Sequence, residues 1–114
     1  MRILLTTDAV GGVWRYSAIL SRALSREGHA VLLAVIGHPS DEQLAELPGE
    51  IELEIHDARL EWQDGAEADL GPTAGWLRDV ERSWRPDILH LNQMTYTGLA
   101  TFGAPTVVVV HSDV

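Results

Sequence analysis

The stretch MRILLTTDAVGGV, residues 1–13, decides the fold of this chain. Its first part, Arg2–Thr7, is a short run of mostly apolar and β-branched side chains that is typical of a strand. The run stops at Asp8–Gly12, where two glycines predict a tight turn, and a helical pattern begins at Val13. Strand, glycine turn and helix in this order predict a first βα unit, and units of this kind bind ligands at the turn.

The glycine turn suits an anion. Because Gly11 and Gly12 lack side chains, a ligand can approach the backbone closely, and the following helix presents unpaired N–H groups and a partial positive charge. The turn matches neither of the two familiar nucleotide-binding patterns, G-x-G-x-x-G and G-x-x-x-x-G-K-[ST]. The sequence therefore predicts a phosphate or another anion beside these glycines without identifying the molecule that carries it.

The composition is that of one acidic globular domain. The chain has 114 residues, 46% of them hydrophobic, and a formal net charge of −9. This negative charge disfavours nucleic acid and anionic membranes as partners. The absence of cysteine excludes disulfides, a thiolate nucleophile and thiolate metal ligands. The longest apolar stretch, Ala30–Ile36, is too short to span a bilayer and the N-terminal run is too short for a signal peptide, so we expect a cytoplasmic protein.

Apolar runs and helical periods alternate along the rest of the chain. The predicted strands are Arg2–Thr7, Ala30–Ile36, Glu50–His56, Asp87–Asn92 and Thr106–Val110. The predicted helices are Val13–Gly28, a short one from Ser40 to Leu47, and Thr73–Arg85, with a loop at Asp57–Pro72 and a short helix or turn at Met94–Phe102. The alternation predicts an α/β fold, a Rossmann-like, doubly wound parallel sheet of about five strands in the order 3-2-1-4-5.

Side-chain patterns refine three of these elements. In the first helix, the helical spacing of Tyr16 and Leu20 predicts the side that faces the core, with Trp14 as a packing residue on its flank. Alternating charges in Glu50–His56 predict an edge strand with one face in water. The opposite edge strand, Thr106–Val110, is uncharged and apolar on both faces, which predicts that the chain associates with itself through it.

Three polar segments are predicted to converge. In the order 3-2-1-4-5, the chain that follows the first strand continues towards one edge of the sheet, and the chain that follows the fourth strand continues towards the other edge. The point between these two strands is a switch point, and ligands bind there beyond the carboxyl ends of the strands. This topology places Asp8–Gly12, His90–Asn92 and His111–Asp113 at the same edge of the sheet.

Asp8 and His111 form the most informative pair among these segments. A carboxylate near an imidazole can orient it and favour its charged form, so that His111 acts as an acid, a base or a donor to an anion. Asp8 has a second interpretation, in which it caps the turn, and the sequence leaves both open. Asn92 is either a polar contact or a turn residue, and His90 is predicted to be structural. No His-x-x-x-His spacing occurs, so no metal site is predicted.

Several segments together resemble a known family. The start, Thr6–Trp14, leads into a helix that ends in Gly28-His29, the fourth strand is Asp87–Asn92, and the fifth is Val107–His111 followed by serine. As a set these segments resemble the N-terminal domain of glycosyltransferase family 4. The resemblance implies the GT-B architecture, in which two Rossmann-like domains face a cleft. In that architecture the second domain holds most of the nucleotide-sugar and the first supplies most of the acceptor site.

The resemblance also implies roles for individual residues. His111 matches the histidine that lies beside the transferred sugar, and Asp8 matches a polar position at the same edge, so both are candidate catalytic residues. Gly11 and Gly12 would approach the donor diphosphate or the acceptor, with Asn92 as a further binding contact. A nucleotide-sugar is the expected co-substrate, with no cofactor and no metal.

The sequence departs from the family pattern in one large respect. The second domain, with its Glu-x7-Glu motif, is missing, so we expect residues 1–114 to be an acceptor-side domain truncated after its fifth strand. The expected function is part of a retaining glycosyltransferase that acts on an unknown acceptor and is inactive without the missing C-terminal domain. The alternative is a non-catalytic Rossmann-like module that binds a nucleotide, an anion or a partner chain.

Overall fold

The structure, a computed structural model, describes residues 1–58, 65, 67–92 and 101–111. Its elements in chain order are β1 (Arg2–Asp8), α1 (Gly11–Arg26), β2 (Ala30–Ile36), α2 (Asp41–Ala45), β3 (Glu52–His56), α3 (Glu67–Trp84), β4 (Ile88–Leu91) and β5 (Thr106–Val108). The strands are all parallel and lie in the order β3-β2-β1-β4-β5, which confirms the predicted fold class and strand order. The predicted element at Met94–Phe102 lies largely outside the described residues.

Apolar side chains cover both faces of the central strands. β2 has the predicted bounds, and all its residues after Ala30 are buried, as expected for a strand between two others. On one face of the sheet Leu5, Leu33 and Val35 pack with Trp14 of α1. Because side chains alternate along a strand, their neighbours form the core on the opposite face, beneath α3. The buried members of that second core are Leu4, Leu32, Ala34, Ile36, Ala74, Leu77, Val80, Leu89 and Leu91.

The buried face of α1 is displaced from the predicted one by about one residue, which is ~100° of rotation. Trp14, Ser17, Ala18 and Ser21 are buried, whereas Tyr16 is exposed. The prediction that Trp14 is a packing residue is confirmed, and the prediction that Tyr16 faces the core is wrong. The reason is that small side chains let the helix lie close to the sheet, and a hydrophobic pattern does not count serines as a packing face.

α3 begins earlier than predicted. The sequence predicts a loop at Asp57–Pro72, whereas the helix begins at Glu67 and includes Pro72. Pro72 is the sixth residue of the helix, so it lacks the N–H that would bond to the Ala68 carbonyl, and the helix forms despite this loss. The helix ends ahead of Pro86, as predicted, with Arg85 in the left-handed conformation at φ 55°. None of the helices within the described residues is long and apolar enough to cross a membrane.

α2 begins with the predicted capping box. Ser40 Oγ accepts a hydrogen bond from the Gln43 N–H at 3.1 Å, and Gln43 Oε1 accepts one from the Ser40 N–H at 2.8 Å. The Gln43 side chain also donates to the Ala9 carbonyl at 2.9 Å. Trp14 Nε1 donates to a carboxylate oxygen of Glu46 at 3.3 Å. These contacts tie α2 to the segment between β1 and α1 and so support the glycine turn from outside.

A buried carboxylate orders the approach to β5. Glu81 of α3 is 8% exposed, and its two oxygens accept hydrogen bonds from the N–H groups of Gly103 at 3.0 Å and Ala104 at 2.8 Å. These donors directly precede Pro105, whose carbonyl accepts from the Leu89 N–H of β4 at 2.9 Å. The carboxylate therefore fixes where the chain joins the sheet edge, a role that sequence reasoning missed because most helical glutamates are solvated.

The two edge strands are open on both faces. β3 lies at one edge, as predicted, but Leu53 and Ile55 are 37% and 43% exposed, so the face expected to be covered is largely open. β5 lies at the other edge and is shorter than predicted, with Val107 49% and Val110 69% exposed. The glutamates of β3 discourage another strand from pairing with it, whereas β5 carries no charge.

We predict that the chain associates with itself through β5. The net charge of −9 opposes association, but salt screens this repulsion beyond about 10 Å at ordinary ionic strength. Sedimentation at moderate salt should show a dimer or larger species, and Val107→Lys should weaken association at least tenfold. Ile55→Lys makes the same charge change at the other edge and should leave the distribution unaltered. A monomer at high protein concentration would contradict the prediction.

Candidate functional site

The carboxyl ends of β1 and β4 lie side by side where the strand order reverses. β1 pairs with β2 on one side and with β4 on the other, so the connections after these strands leave in opposite directions. Open parallel sheets bind ligands at such a switch point. The structure describes every candidate site residue from the sequence, namely Asp8, Gly11, Gly12, Asn92 and His111. The residues after His111 lie outside the described ranges.

Asn92, which directly follows β4, is the centre of a buried polar network. The residue is 7% exposed. Its Nδ2 donates to the Thr6 carbonyl at 2.7 Å and to Ser17 Oγ at 3.1 Å, and its backbone N–H donates to Thr6 Oγ1 at 3.1 Å. Its Oδ1 lies 2.7 Å from Nε2 of His111. The network joins β1, α1, β4 and the segment after β5, so the predicted convergence of strand ends is present.

Three aromatic rings lie together beside this network. The Tyr16 ring centroid is 5.0 Å from that of His111, with the rings inclined at 71°, and 6.1 Å from that of His90. Nε2 of His90 is enclosed and has no hydrogen-bond partner among the described residues. Burial lowers the pKa of His90, the Asn92 side chain raises it, and the charge on His111 lowers it further. Because the net shift is downward, His90 is mainly neutral at pH 7.

Asp8 lies half-buried at the end of β1. Its Oδ1 accepts a hydrogen bond from the Val10 N–H at 2.9 Å, so the turn-capping interpretation is confirmed. Burial raises the pKa of Asp8 above its ordinary 3.8, while the bond from Val10 and the charge on His111 act in the opposite direction. The Asp8 carboxylate therefore interacts with His111 by charge. The residue that is hydrogen-bonded to the His111 ring is Asn92, whereas the sequence led us to expect Asp8 in that position.

The two glycines form the first turn of α1 and not a loop before it. The helix begins at Gly11, earlier than the predicted start at Val13, and Gly11 has φ 55°, which side chains rarely adopt. A Cβ added at Gly11 or Gly12 would meet no atom within 4 Å, so the space in front of both is open within the described residues. The N-cap residue, Val10, provides no side-chain cap, and the first turn carries no acidic residue. This helix end therefore keeps its partial positive charge.

The other histidines lie away from the switch point. His29 Nδ1 is 3.0 Å from the amino terminus, the exposed His38 has its Nε2 3.0 Å from a carboxylate oxygen of Asp57, and His56 stacks on Trp76. Within the part of the chain that the structure describes, no three His, Asp or Glu side chains gather in a group that could hold a metal ion.

Sequence reasoning missed two members of the site, Tyr16 and Ser17, whereas His90 was placed at this edge with a structural role. A usable signal existed for the network, because two threonines end an otherwise apolar strand and serines recur on the first helix at helical spacing. Buried hydroxyl groups require hydrogen-bond partners, and such partners indicate a polar network at the strand end. No comparable signal marks Tyr16, because apolar side chains lie on more than one side of that helix.

Comparison with known families gives one match. A model of Glycosyltransferase Family 4 matches residues 10–114, nearly the whole chain. Comparison with curated protein sequences finds no relative.

The solved structures that share the fold include a glycosyltransferase and a universal stress protein. A glycosyltransferase from Rickettsia africae ESF-5 superposes with a TM-score of 0.63 and 17% identity over 94% of this chain, which spans 28% of that one. A universal stress protein in complex with cAMP superposes with a TM-score of 0.54 and 10% identity, and 98% of each chain is covered. At these identities the likeness establishes the fold and nothing more.

We predict that Asp8→Asn stabilises the chain at neutral pH. Asparagine keeps an oxygen for the Val10 N–H but removes a charge whose burial is unfavourable. The pKa of Asp8 is higher in the folded state than in the unfolded state, where it has its ordinary value of 3.8. The free energy of unfolding therefore falls as the pH rises above about 3.8, and this loss is still present at pH 7. Thermal melts should show Asp8→Asn a few degrees above the unmodified chain at pH 7, with the gap closing towards pH 4. Asp79→Asn, at an exposed site on α3, should change little. A lower melting temperature for Asp8→Asn at pH 7 would show that the charge stabilises the fold.

Proposed function

This chain belongs to glycosyltransferase family 4, and we propose that it is the acceptor-side, N-terminal domain of a retaining enzyme of the GT-B type. In this proposal the chain faces a second domain that holds most of a nucleotide-sugar, and the two together transfer the sugar to an acceptor. Neither a cofactor nor a metal takes part. The chain is inactive without the second domain, because closure of two domains is what excludes water and positions the donor.

The observation that carries the proposal is the position of His111 at the same edge of the sheet as the uncapped start of α1. His111 is hydrogen-bonded to Asn92 at 2.7 Å, and its ring lies against Tyr16 of α1. The first turn of α1, at Gly11 and Gly12, follows β1, which is the neighbour of β4. Breaking the bond between a sugar and a diphosphate places negative charge on the leaving oxygen. A protonated histidine and unpaired N–H groups at a helix start both stabilise that charge.

The surroundings of His111 support the same function. The open space at Gly11 and Gly12 admits a ligand to the backbone, and the Tyr16 ring offers an apolar face of the kind on which sugar rings pack. Asp8 and His111 interact by charge, an interaction that acts to lower the pKa of Asp8 against the larger effect of its burial. We assign His111 and Asp8 to the catalytic step, and Gly11 and Gly12 to the surface that meets donor or acceptor.

A second candidate function is a nucleotide-binding module without catalysis. The specific observation in its favour is that the universal stress protein solved with cAMP shares the fold over 98% of both chains, whereas this chain spans 28% of the glycosyltransferase. An uncapped helix start at a switch point binds phosphate in either case. The two candidates differ in what the chain does without a second domain.

We predict that the isolated chain neither transfers sugar nor binds nucleotides tightly. A panel of nucleotide-sugars and acceptors should give no product, and calorimetric titration with ADP, UDP and cAMP should give dissociation constants near the millimolar range, typical of a site lacking most of its contacts. Micromolar binding of a free nucleotide without turnover would favour the second candidate. Robust product from the isolated chain would contradict the proposal that a second domain is required.

We also predict that His111→Ala slows a two-domain enzyme containing this chain by about a hundredfold, the usual effect of losing a positioned donor to a developing negative charge. The apparent donor affinity should change far less, because the other domain holds most of the donor. His38→Ala, which removes an exposed histidine paired with Asp57, is the matched control. An unchanged rate in His111→Ala would assign His111 a structural role.

A further inference from the structure

The hydrogen bonds of Asn92 determine which way round its amide group lies. Nδ2 is 2.7 Å from the carbonyl oxygen of Thr6 and 3.1 Å from Ser17 Oγ, while Oδ1 is 2.7 Å from Nε2 of His111. A hydroxyl such as that of Ser17 either donates or accepts, so it is compatible with both orientations. A backbone carbonyl can only accept. The group that faces the Thr6 carbonyl must therefore be the NH₂.

The reversed orientation is strongly disfavoured at this place. It would set Oδ1 of Asn92 against the carbonyl oxygen of Thr6 at hydrogen-bond distance, with no hydrogen between two acceptors. Asn92 is 7% exposed, so little water is present to relieve the repulsion. The backbone N–H of Asn92 also donates to Thr6 Oγ1 at 3.1 Å, which holds the residue against the end of β1.

With the amide fixed, the proton on the His111 ring is fixed too. Oδ1 of Asn92 has no hydrogen, so the 2.7 Å contact requires that Nε2 of His111 carries one and donates it. In a neutral imidazole only one nitrogen is protonated, and Nδ1 then holds the lone pair.

We infer that Asn92 is a positioning residue that holds His111 in the tautomer protonated on Nε2, with Nδ1 left for the substrate. The neutral ring then accepts a hydrogen bond from a hydroxyl group, and only the protonated ring donates to a phosphate oxygen. This refines the sequence-based role of Asn92, which becomes a support for His111 in place of a ligand contact. The statement that Nδ1 bonds to a substrate hydroxyl or phosphate rests on the proposed function. The tautomer itself is a property of the folded chain.

The tautomer is measured on the folded chain by nuclear magnetic resonance of the histidine ring nitrogens in a ¹⁵N-labelled sample. At a pH at which His111 is neutral, we expect its Nε2 to have the shift of a protonated nitrogen and its Nδ1 that of an unprotonated one. Free histidine in the same buffer, in which both tautomers exchange, is the reference. The Nε2 proton should also give a downfield signal that exchanges slowly with water, because it bonds to a buried oxygen.

Three variants separate positioning from general support of the fold. Asn92→Ala removes the acceptor, so the two His111 nitrogen shifts should move towards those of free histidine and the slow proton should be lost. Asn92→Asp keeps an oxygen for Nε2, so the proton should stay on Nε2, but its second oxygen meets the Thr6 carbonyl and should lower the melting temperature. Ser17→Ala removes a neighbouring contact of Asn92 but leaves the Thr6 carbonyl, so the tautomer should persist.

Each outcome is decisive. A His111 ring protonated on Nδ1, or shifts in the unmodified chain equal to those of free histidine, would overturn the inference. Loss of the Nε2 signal in Ser17→Ala would also overturn it, because the orientation would then depend on the serine. If Asn92→Ala does not fold, the unmodified chain and Ser17→Ala still decide the matter. Failure of sugar transfer by a two-domain enzyme containing this chain, with the expected tautomer intact, would overturn the proposed function and not this inference.

Discussion

The pairing of β1 on both sides is the constraint on which the rest of the structure depends. β1 is in register with β2 from Arg2 to Asp8 and with β4 from Ile3 to Leu5. A strand in this position is buried on both faces, and any polar side chain at its end must find a partner inside the protein. Thr6 and Thr7 meet this requirement, the first with Asn92 and the second with the Asp8 carbonyl at 2.8 Å.

The close packing of α1 on the sheet is what lets this network reach a third element. Ser17 and its small buried neighbours allow the helix to approach until Ser17 Oγ is 3.1 Å from Asn92. The same rotation of the helix turns Tyr16 outward, over His111 and His90.

Most of the fold could be predicted from the sequence, because strand order follows from the alternation of elements and from right-handed connections. The bounds of Ala30–Ile36 and the capping box at Ser40 could be predicted, since each depends on side chains close together in the chain.

The failed predictions share a cause. The rotation of α1 depends on small residues that a hydrophobic pattern ignores, and the start of α3 ahead of Pro72 depends on packing that a local rule for proline does not include. Asn92 was selected as a candidate, but its role needed the position of the Thr6 carbonyl, which no spacing in the sequence gives.

Features that weaken the fold are gathered at the switch point, whereas three comparable groups elsewhere in the described part of the chain are satisfied. The start of α2 has a full capping box, the buried carboxylate of Glu81 accepts two backbone hydrogen bonds, and Arg2 donates to the carbonyls at the end of α3. At the switch point, the start of α1 has no side-chain cap, Asp8 is a half-buried carboxylate with a raised pKa, and Nε2 of His90 is enclosed without a partner among the described residues. The buried hydroxyls of Ser21 and Thr73 also lack a described partner, but a rotating hydroxyl is less costly to leave unpaired than a charge or a helix end.

A concentration of unsatisfied groups at the switch point is expected where a surface is shaped to meet a ligand. Groups that bind an anion or a hydroxyl of the ligand are left without partners inside the protein. The unsatisfied groups and the Asn92–His111 contact therefore identify the same edge of the sheet by independent routes.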